Sequence, residues 1–173
     1  MQITREQTNA AAEIADLITE QYSANGQINH ANAISTAARL AGSCMFRSFH
    51  FQLKDVQPGS SVFSEQANEK GPALINILYG ALSSFGAKVD SLKMDNAIVP
   101  DPAIPFVEAL TPIQPAAFAI MKKHQLDFEQ MAVSVTLATA FLIKEAEKDF
   151  PLNSGFNTAM YGFVEGTKTW PPE

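Results

Sequence analysis

Several residue types that would reveal a chemistry are scarce in this chain. Its 173 residues include one cysteine, Cys44, and one tryptophan. A single cysteine excludes an intramolecular disulfide and a zinc site built from several cysteines. The glycines form neither a P-loop nor a G-x-G-x-x-G fingerprint, and no G-x-S-x-G nucleophile elbow occurs. We therefore predict that the protein has no cofactor and no motif-based catalytic site.

Charged residues are also scarce, and their net negative charge does not favour anionic partners. Charged residues make up 17% of the chain, and eighteen acidic residues against twelve basic ones give a net charge of −6. The basic dipeptide Lys122-Lys123 falls at a predicted helix end, where the helix dipole favours cations. Without a concentrated basic stretch, the sequence excludes nucleic acid and disfavours an anionic membrane as partner.

The sequence shows neither the long apolar stretch of a membrane-spanning helix nor the pattern of a secretory signal. Residues 130–143 carry no charge, but a span needs about twenty predominantly apolar residues. The first residues lack the basic-then-apolar pattern of a signal peptide. We expect a cytoplasmic protein with no membrane partner.

What the chain does contain is helical periodicity. Hydrophobic residues make up 46% of it, and twelve phenylalanines supply core side chains that have no polar group. A capping box of Thr4 and Gln7 opens the first helix, and Asn25-Gly26 ends it. We predict an all-α fold, an irregular bundle of about six or seven helices. Residues 1–173 would form a single domain whose short extended tail begins near residue 167.

The second predicted helix, from Asn29 to about Phe49, is rich in small residues around Gly42. Small side chains let helix backbones approach closely, so this helix should be central, with neighbours on more than one side. Glycine costs about 1 kcal/mol in helix propensity relative to alanine, which close packing can offset.

Residues 49–63 alternate apolar and polar side chains and then reach Pro58-Gly59, which suits a type II turn. The pattern fits a short hairpin or an ordered loop equally well. Ser64 can cap a single helical turn through Lys70, after which Gly71-Pro72 breaks the chain and starts another helix.

Capping residues predict four further helices in the second half of the chain. A proline in the first turn and a polar cap are typical of a helix start, and glycine of a helix end. The predicted starts are Asp101-Pro102, Thr111-Pro112 with Gln114 as capping-box partner, Asp127 with Gln130, and Pro151, the last helix ending at Gly166.

Single residues with reactive chemistry have ordinary structural explanations here. The acidic stripe of the first helix (Glu6, Glu13, Asp16 and Glu20) is typical of a solvated face rather than a cation site. Cys44 lies among small apolar residues, where a thiolate is disfavoured, and His50 would fall on another helix face. No histidine stands in a metal-binding spacing, so we predict no metal site and no catalytic residue.

The segment from residue 39 to residue 70 is the candidate binding region. Both signs of charge surround a loop that is otherwise rich in apolar residues. One interpretation is a polar pocket for a small anionic ligand, with arginine as the forked donor. The other is a structural network in which arginine pairs with glutamate and pins the loop to the bundle. The candidate residues are Arg39, Arg47, His50, Glu65, Glu69 and Lys70.

The function predicted from these features is binding rather than catalysis. Apolar helix faces tend to associate, so we expect a homodimer or a complex with a protein partner. Trp170, beside two prolines, is either a docking element or a side chain that packs back on its own domain. A small-molecule-binding protein or an enzyme with a polar pocket near residues 39–70 is the alternative.

Overall fold

The computed structural model describes residues 2–89 and 104–173. Seven helices lie within these residues, and the all-α fold predicted from the sequence is confirmed. They are α1 (Arg5–Gln21), α2 (His30–Ser48), α3 (Glu65–Ser84), α4 (Phe106–Leu110), α5 (Gln114–Lys123), α6 (Phe128–Ala146) and α7 (Leu152–Lys168). One hydrophobic cluster contains buried residues from all seven.

The predicted caps Asn29 and Ser64 begin α2 and α3, and the two predicted capping boxes at α1 and α6 are also present. Thr4 and Gln7 exchange hydrogen bonds as a capping box at the start of α1. Asp127 and Gln130 do the same at the start of α6. In each case two backbone N–H groups that the helix cannot satisfy find side-chain oxygens, which is why these sequences begin helices.

α2 is the central helix, and it packs mainly on α6 and α7. Gly42 is the reason that α7 can come so close. A Cβ built on Gly42 would lie 2.7 Å from the Phe163 carbonyl oxygen and 2.8 Å from the Gly166 Cα. Real Cβ atoms do not approach backbone atoms so closely, so the contact requires glycine there. The close approach predicted from the small residues of α2 is confirmed.

Two glycines predicted to end helices lie inside them instead. Gly71-Pro72 does not interrupt α3, because the buried side chains Ala67, Leu74 and Leu78 form one face across the proline. Packing of that face outweighs the hydrogen bond that proline cannot donate. Gly166 does not end α7, which continues to Lys168. Glycine is needed at this position because a Cβ would clash with the backbone of α2, not because the chain turns there.

The predicted capping box of Thr111 and Gln114 is also wrong. Thr111 ends α4, and its hydroxyl donates to the Val107 carbonyl oxygen. α5 begins at Gln114 without a side-chain cap. The buried Gln114 side chain binds the end of the chain instead. The helix start predicted at Asp101-Pro102 lies outside the described residues.

Residues 49–63 form an ordered loop, not a hairpin. The Ser60 N–H donates to the Gln57 carbonyl oxygen, and Gly59 has a φ of 88°, as the predicted turn at Pro58-Gly59 requires. Within the described residues, the alternating segment pairs with no strand. Ser61 instead makes a single antiparallel bridge to Thr169, just after α7.

A small hairpin does occur where the sequence predicted only a helix end. β1 (Ser23–Ala24) pairs antiparallel with β2 (Gln27–Ile28). Asn25 and Gly26, which connect them, both have positive φ, 53° and 76°. Two such residues form the tight turn that two-residue hairpins favour.

Among the described helices, none is by itself both long enough and apolar enough to cross a membrane. α5 and α6 meet that requirement only when taken together, and they are bent by 112° at the break between them.

Candidate functional site

Arg39, the first predicted binding residue, is held in the interior. It is 2% exposed. Its Nε donates to the Glu165 carboxylate at 2.6 Å, and its Nη1 donates to the Ile104 carbonyl oxygen at 2.8 Å. The side chain therefore links α2 to α7 and to the segment that leads into α4. Arg39 thus pairs with a glutamate, but Glu165 belongs to α7 and not to the 49–63 loop that the structural interpretation would pin to the bundle.

Arg47, two turns further along α2, has a different set of partners. Its guanidinium lies 5.2 Å from the ring centroid of Phe118 and 6.0 Å from that of Phe128. The Nη2 group donates to the Gln114 Oε1 at 3.1 Å and to the Pro172 carbonyl oxygen. Burial lowers the pKa of Arg47. Aromatic rings on the face of the guanidinium partly replace the water it has lost.

The other four predicted residues lie at the surface. His50 follows α2 with a φ of 54° and is exposed. Glu65, Glu69 and Lys70 are exposed on the first two turns of α3. The Lys70 ammonium lies 2.8 Å from the Glu129 carboxylate, which raises the pKa of Lys70. Arg39, Arg47 and Lys70 thus have three separate sets of partners, and ligand binding by the six residues stays a prediction.

Cys44 is buried completely in α2. Burial raises the pKa of its thiol to about 12, although the nearby Arg47 charge acts in the opposite direction. A thiol with that pKa is protonated at neutral pH and is a poor nucleophile. The position suits packing, as the sequence predicted.

Glu13 departs from the predicted solvated stripe. Its carboxylate accepts hydrogen bonds from Lys123 Nζ at 2.8 and 2.9 Å and lies 2.8 Å from His124 Nε2. The hydrogen bond from Lys123, with that from His124, lowers the pKa of Glu13. Because Lys123 and His124 lie at the end of α5, this cluster joins α1 to α5.

A further candidate site is a groove between α1, α3 and α6. α1 and α3 both pack on α6 but scarcely on each other. The space between them has a volume of about 790 Å³. Small and apolar residues from the three helices line most of it, and we call it the α1–α3 groove. It is lined by Ile3, Thr8, Ala11, Ala12, Ala15, Asp16, Asn76, Ile77, Gly80, Ala81, Ser84, Phe85, Leu137, Ala138 and Phe141.

The α1–α3 groove is lined by small side chains and by two exposed phenylalanines. Alanines line the α1 wall, and nothing lies within 4 Å of a Cβ built on Gly80 in the α3 wall. Phe85 and Phe141 lie along the groove with exposed fractions of 43% and 47%. Asp16 is the charged side chain among the described lining residues. Such an open, apolar surface is typical of a binding site.

Sequence reasoning missed this groove, because its residues look like core residues. Phe141 belongs to the charge-free stretch of α6, and an all-round apolar helix is usually buried. α6 is indeed covered by α2, but α1 and α3 leave the strip around Phe141 open. The available signal was the run of alanines on α1 beside its acidic face, which is too weak to define a site.

Within residues 2–89 and 104–173, no group of three or more histidine, cysteine, aspartate or glutamate side chains is arranged to hold a metal ion. Comparison of the chain with protein-family models, with curated proteins and with solved structures finds no match.

Proposed function

We propose that this protein is a non-catalytic binding protein whose α1–α3 groove receives an amphipathic helix of a protein partner. The observation that carries the proposal is the open apolar groove, whose volume is about 790 Å³ and whose phenylalanines are exposed. Leaving such side chains in water is unfavourable by about 25 cal/mol for each Å² of apolar surface. A partner that covers them gains that free energy.

The dimensions of the groove favour a helix as the occupant. The lining residues run from Asn76 in α3 to Phe85 just after it, which at 1.5 Å per residue is a length of about 13 Å. Two and a half turns of a partner helix span that length, enough for apolar anchors at positions i, i+4 and i+7. Alanine and glycine walls let the partner backbone approach closely.

The charge of the groove favours a basic partner helix. Asp16 lines the groove, and Glu20 follows one turn later on the same helix and is exposed. The whole chain carries a net charge of −6. Lysine or arginine beside the apolar anchors of the partner would face Asp16 and would speed association.

A second copy of the chain fits the groove less well than a different protein. Two concave grooves placed face to face cannot fill each other, and two copies of charge −6 repel. The exposed apolar side chains of α7, Tyr161 and Val164, lie on another surface. Their insertion into a neighbour's groove would be a head-to-tail contact, which produces filaments or rings rather than a simple dimer.

The test uses a synthetic amphipathic helix of about sixteen residues with leucine anchors and flanking lysines. Its binding is measured by fluorescence anisotropy against three proteins: the unmodified chain, Gly80→Ala and Gly80→Leu. Both substitutions improve helix propensity, by about 1 kcal/mol, and a Cβ at Gly80 meets nothing within 4 Å. Only leucine fills the groove.

We expect saturable binding to the unmodified chain and to Gly80→Ala, and at least tenfold weaker binding to Gly80→Leu. The same peptide with glutamate in place of lysine should bind more weakly, and Asp16→Asn should reduce that preference. Equal binding to all three proteins, or no binding at all, would contradict the proposal. Self-association that disappears in Gly80→Leu would assign the groove to a second copy instead.

The alternative predicted from the sequence, a polar pocket near residues 39–70, has less support. Arg39 and Arg47 already direct their N–H groups at Glu165, Gln114 and the end of the chain. A small anionic ligand would have to displace these contacts. A cytoplasmic location remains a prediction from the sequence.

A further inference from the structure

The segment after α7 is bound to the rest of the molecule as an extended peptide. The Trp170 N–H donates to the Ser60 carbonyl oxygen at 2.8 Å, and the Trp170 carbonyl oxygen accepts from the Gly59 N–H at 2.8 Å. Pro171 and Pro172 are buried and Glu173 is exposed. We call residues 170–173 the tail.

The tail lies in a slot formed by α2, α5 and the 49–63 loop. The Trp170 ring meets Phe46 edge to face, with 5.6 Å between the ring centroids. The Gln114 amide donates to the Pro172 carbonyl oxygen at 3.1 Å and to the Glu173 carbonyl oxygen at 3.0 Å. Arg47 donates to the same Pro172 oxygen.

The polar contacts of the tail go to its main chain. Its backbone atoms at Trp170, Pro172 and Glu173 are bound, while its side chains contribute a ring and two prolines. Aromatic surfaces with side-chain donors that bind carbonyl oxygens are the usual means of recognising extended proline-rich peptides. Nothing in these contacts depends on the covalent link between the tail and α7.

The donors of the slot are held in place by residues outside the tail. Arg47 lies against Phe118 and Phe128, and it donates to Gln114 as well as to the tail. The Arg47 Nε is buried and has no hydrogen-bond partner among the described residues. A slot whose donors are fixed in advance loses little side-chain entropy when a peptide binds.

We propose that this slot is a docking site for an extended segment of a partner protein in which an aromatic residue precedes two prolines, and that the tail occupies it in cis. A partner segment binds when the tail is released. Because tethering gives the tail a local concentration of about 1 mM or more, binding in trans is weak until the tail leaves. The slot is separate from the α1–α3 groove.

The test uses the full chain with its tail weakened by Trp170→Ala, Pro171→Gly and Pro172→Gly. Trp170 is the one tryptophan of the chain, so the tail-weakened protein contains none. Tryptophan fluorescence therefore comes only from an added Lys-Thr-Trp-Pro-Pro-Glu peptide. We expect a saturable blue shift below about 1 mM peptide. Binding should fall at least tenfold when Gln114→Ala is added, and at least tenfold for a peptide with alanines in place of the prolines.

Two results would overturn the proposal. One is a tail-weakened chain that keeps its helical circular dichroism but binds no peptide, or binds it regardless of Gln114→Ala. The other comes from hydrogen exchange on the unmodified chain, which does not depend on the folding of any variant. We expect the Gly59 and Trp170 amides to exchange through a local opening that urea hardly affects. If they exchange only by global unfolding, the tail does not leave its slot.

Discussion

Gly42 and Gly166 bring the backbones of α2 and α7 into direct contact. A Cβ built on Gly166 would lie 2.8 Å from the Gly42 Cα and 2.5 Å from the Arg39 carbonyl oxygen. Gly162, one turn earlier, is as close, since its Cβ would lie 2.6 Å from the Ala38 Cβ. Two glycines on α7 and one on α2 therefore set the distance between the two most extensively packed helices.

The first prediction concerns this contact. Gly166→Ala should lower the free energy of unfolding by about 1–3 kcal/mol, because the added methyl group forces the two backbones apart. Gly80→Ala is the matched control, since a Cβ there meets nothing within 4 Å. It should raise stability by about 0.5–1 kcal/mol through helix propensity. Urea unfolding followed by circular dichroism measures both, and equal stability of Gly166→Ala and the unmodified chain would show that α7 can shift freely.

The second prediction compares two ion pairs of different burial. Glu165→Ala leaves the buried Arg39 guanidinium, 3% exposed, without its carboxylate. We expect a loss of about 1–3 kcal/mol, the usual cost of an unsatisfied buried donor. Glu129→Ala breaks the exposed pair with Lys70, whose side chain is 49% exposed, and should cost less than about 1 kcal/mol. Similar losses in the two variants, measured by chemical denaturation, would contradict the role given to Arg39.

The third prediction is a pH dependence at Glu13. Its pKa is lowered from 4.5 in the folded protein by the hydrogen bonds from Lys123 and His124. A carboxyl group with a depressed folded pKa stabilises the fold above its unfolded pKa and loses that effect as the pH falls through the folded one. The unmodified chain should therefore be more stable than Glu13→Gln at pH about 5.5, and the difference should shrink towards pH about 3. A difference that does not change over this range would rule out the carboxylate as its source.

The fourth prediction concerns the reactivity of Cys44. With the pKa of its thiol at about 12, the thiolate is scarce at pH 8. Its fraction is lower by about three orders of magnitude than that of a free cysteine with a pKa near 8.5. A thiol reagent at pH 8 should modify the folded chain far more slowly than the chain in urea, as followed by mass spectrometry. Rapid modification of the folded chain would mean that α2 opens locally.

Helix positions that depend on local chemistry could be predicted from the sequence. The capping boxes of Thr4 and Asp127 are local, because a side chain and a backbone three residues away decide them. Gly166 and Pro72 could not be assigned correctly in this way. Whether a glycine ends a helix or faces another helix depends on α2, which is more than a hundred residues away, and whether a proline breaks α3 depends on packing against α6 and α7.

The candidate site was harder to predict than the fold. The sequence drew attention to charged residues such as Arg39 and Arg47, because charge is rare in this chain. Their partners, Glu165 and the Pro172 carbonyl oxygen, lie more than a hundred residues further along. The α1–α3 groove, by contrast, is a space left between helices. It exists because α1 and α3 both pack on α6 but scarcely on each other, an arrangement that no residue pattern specifies.

The packing of α2 against α7 also constrains the order in which parts of the chain can fold. α2 ends at Ser48, whereas α7 begins at Leu152. During synthesis at roughly 5–20 residues per second, α2 therefore waits for several seconds or more before the helix that covers its glycine face is made. Through that interval the small-residue surface of α2 is available to other chains. Factors that bind nascent chains, or the early docking of α6, would decide how many molecules reach the native fold.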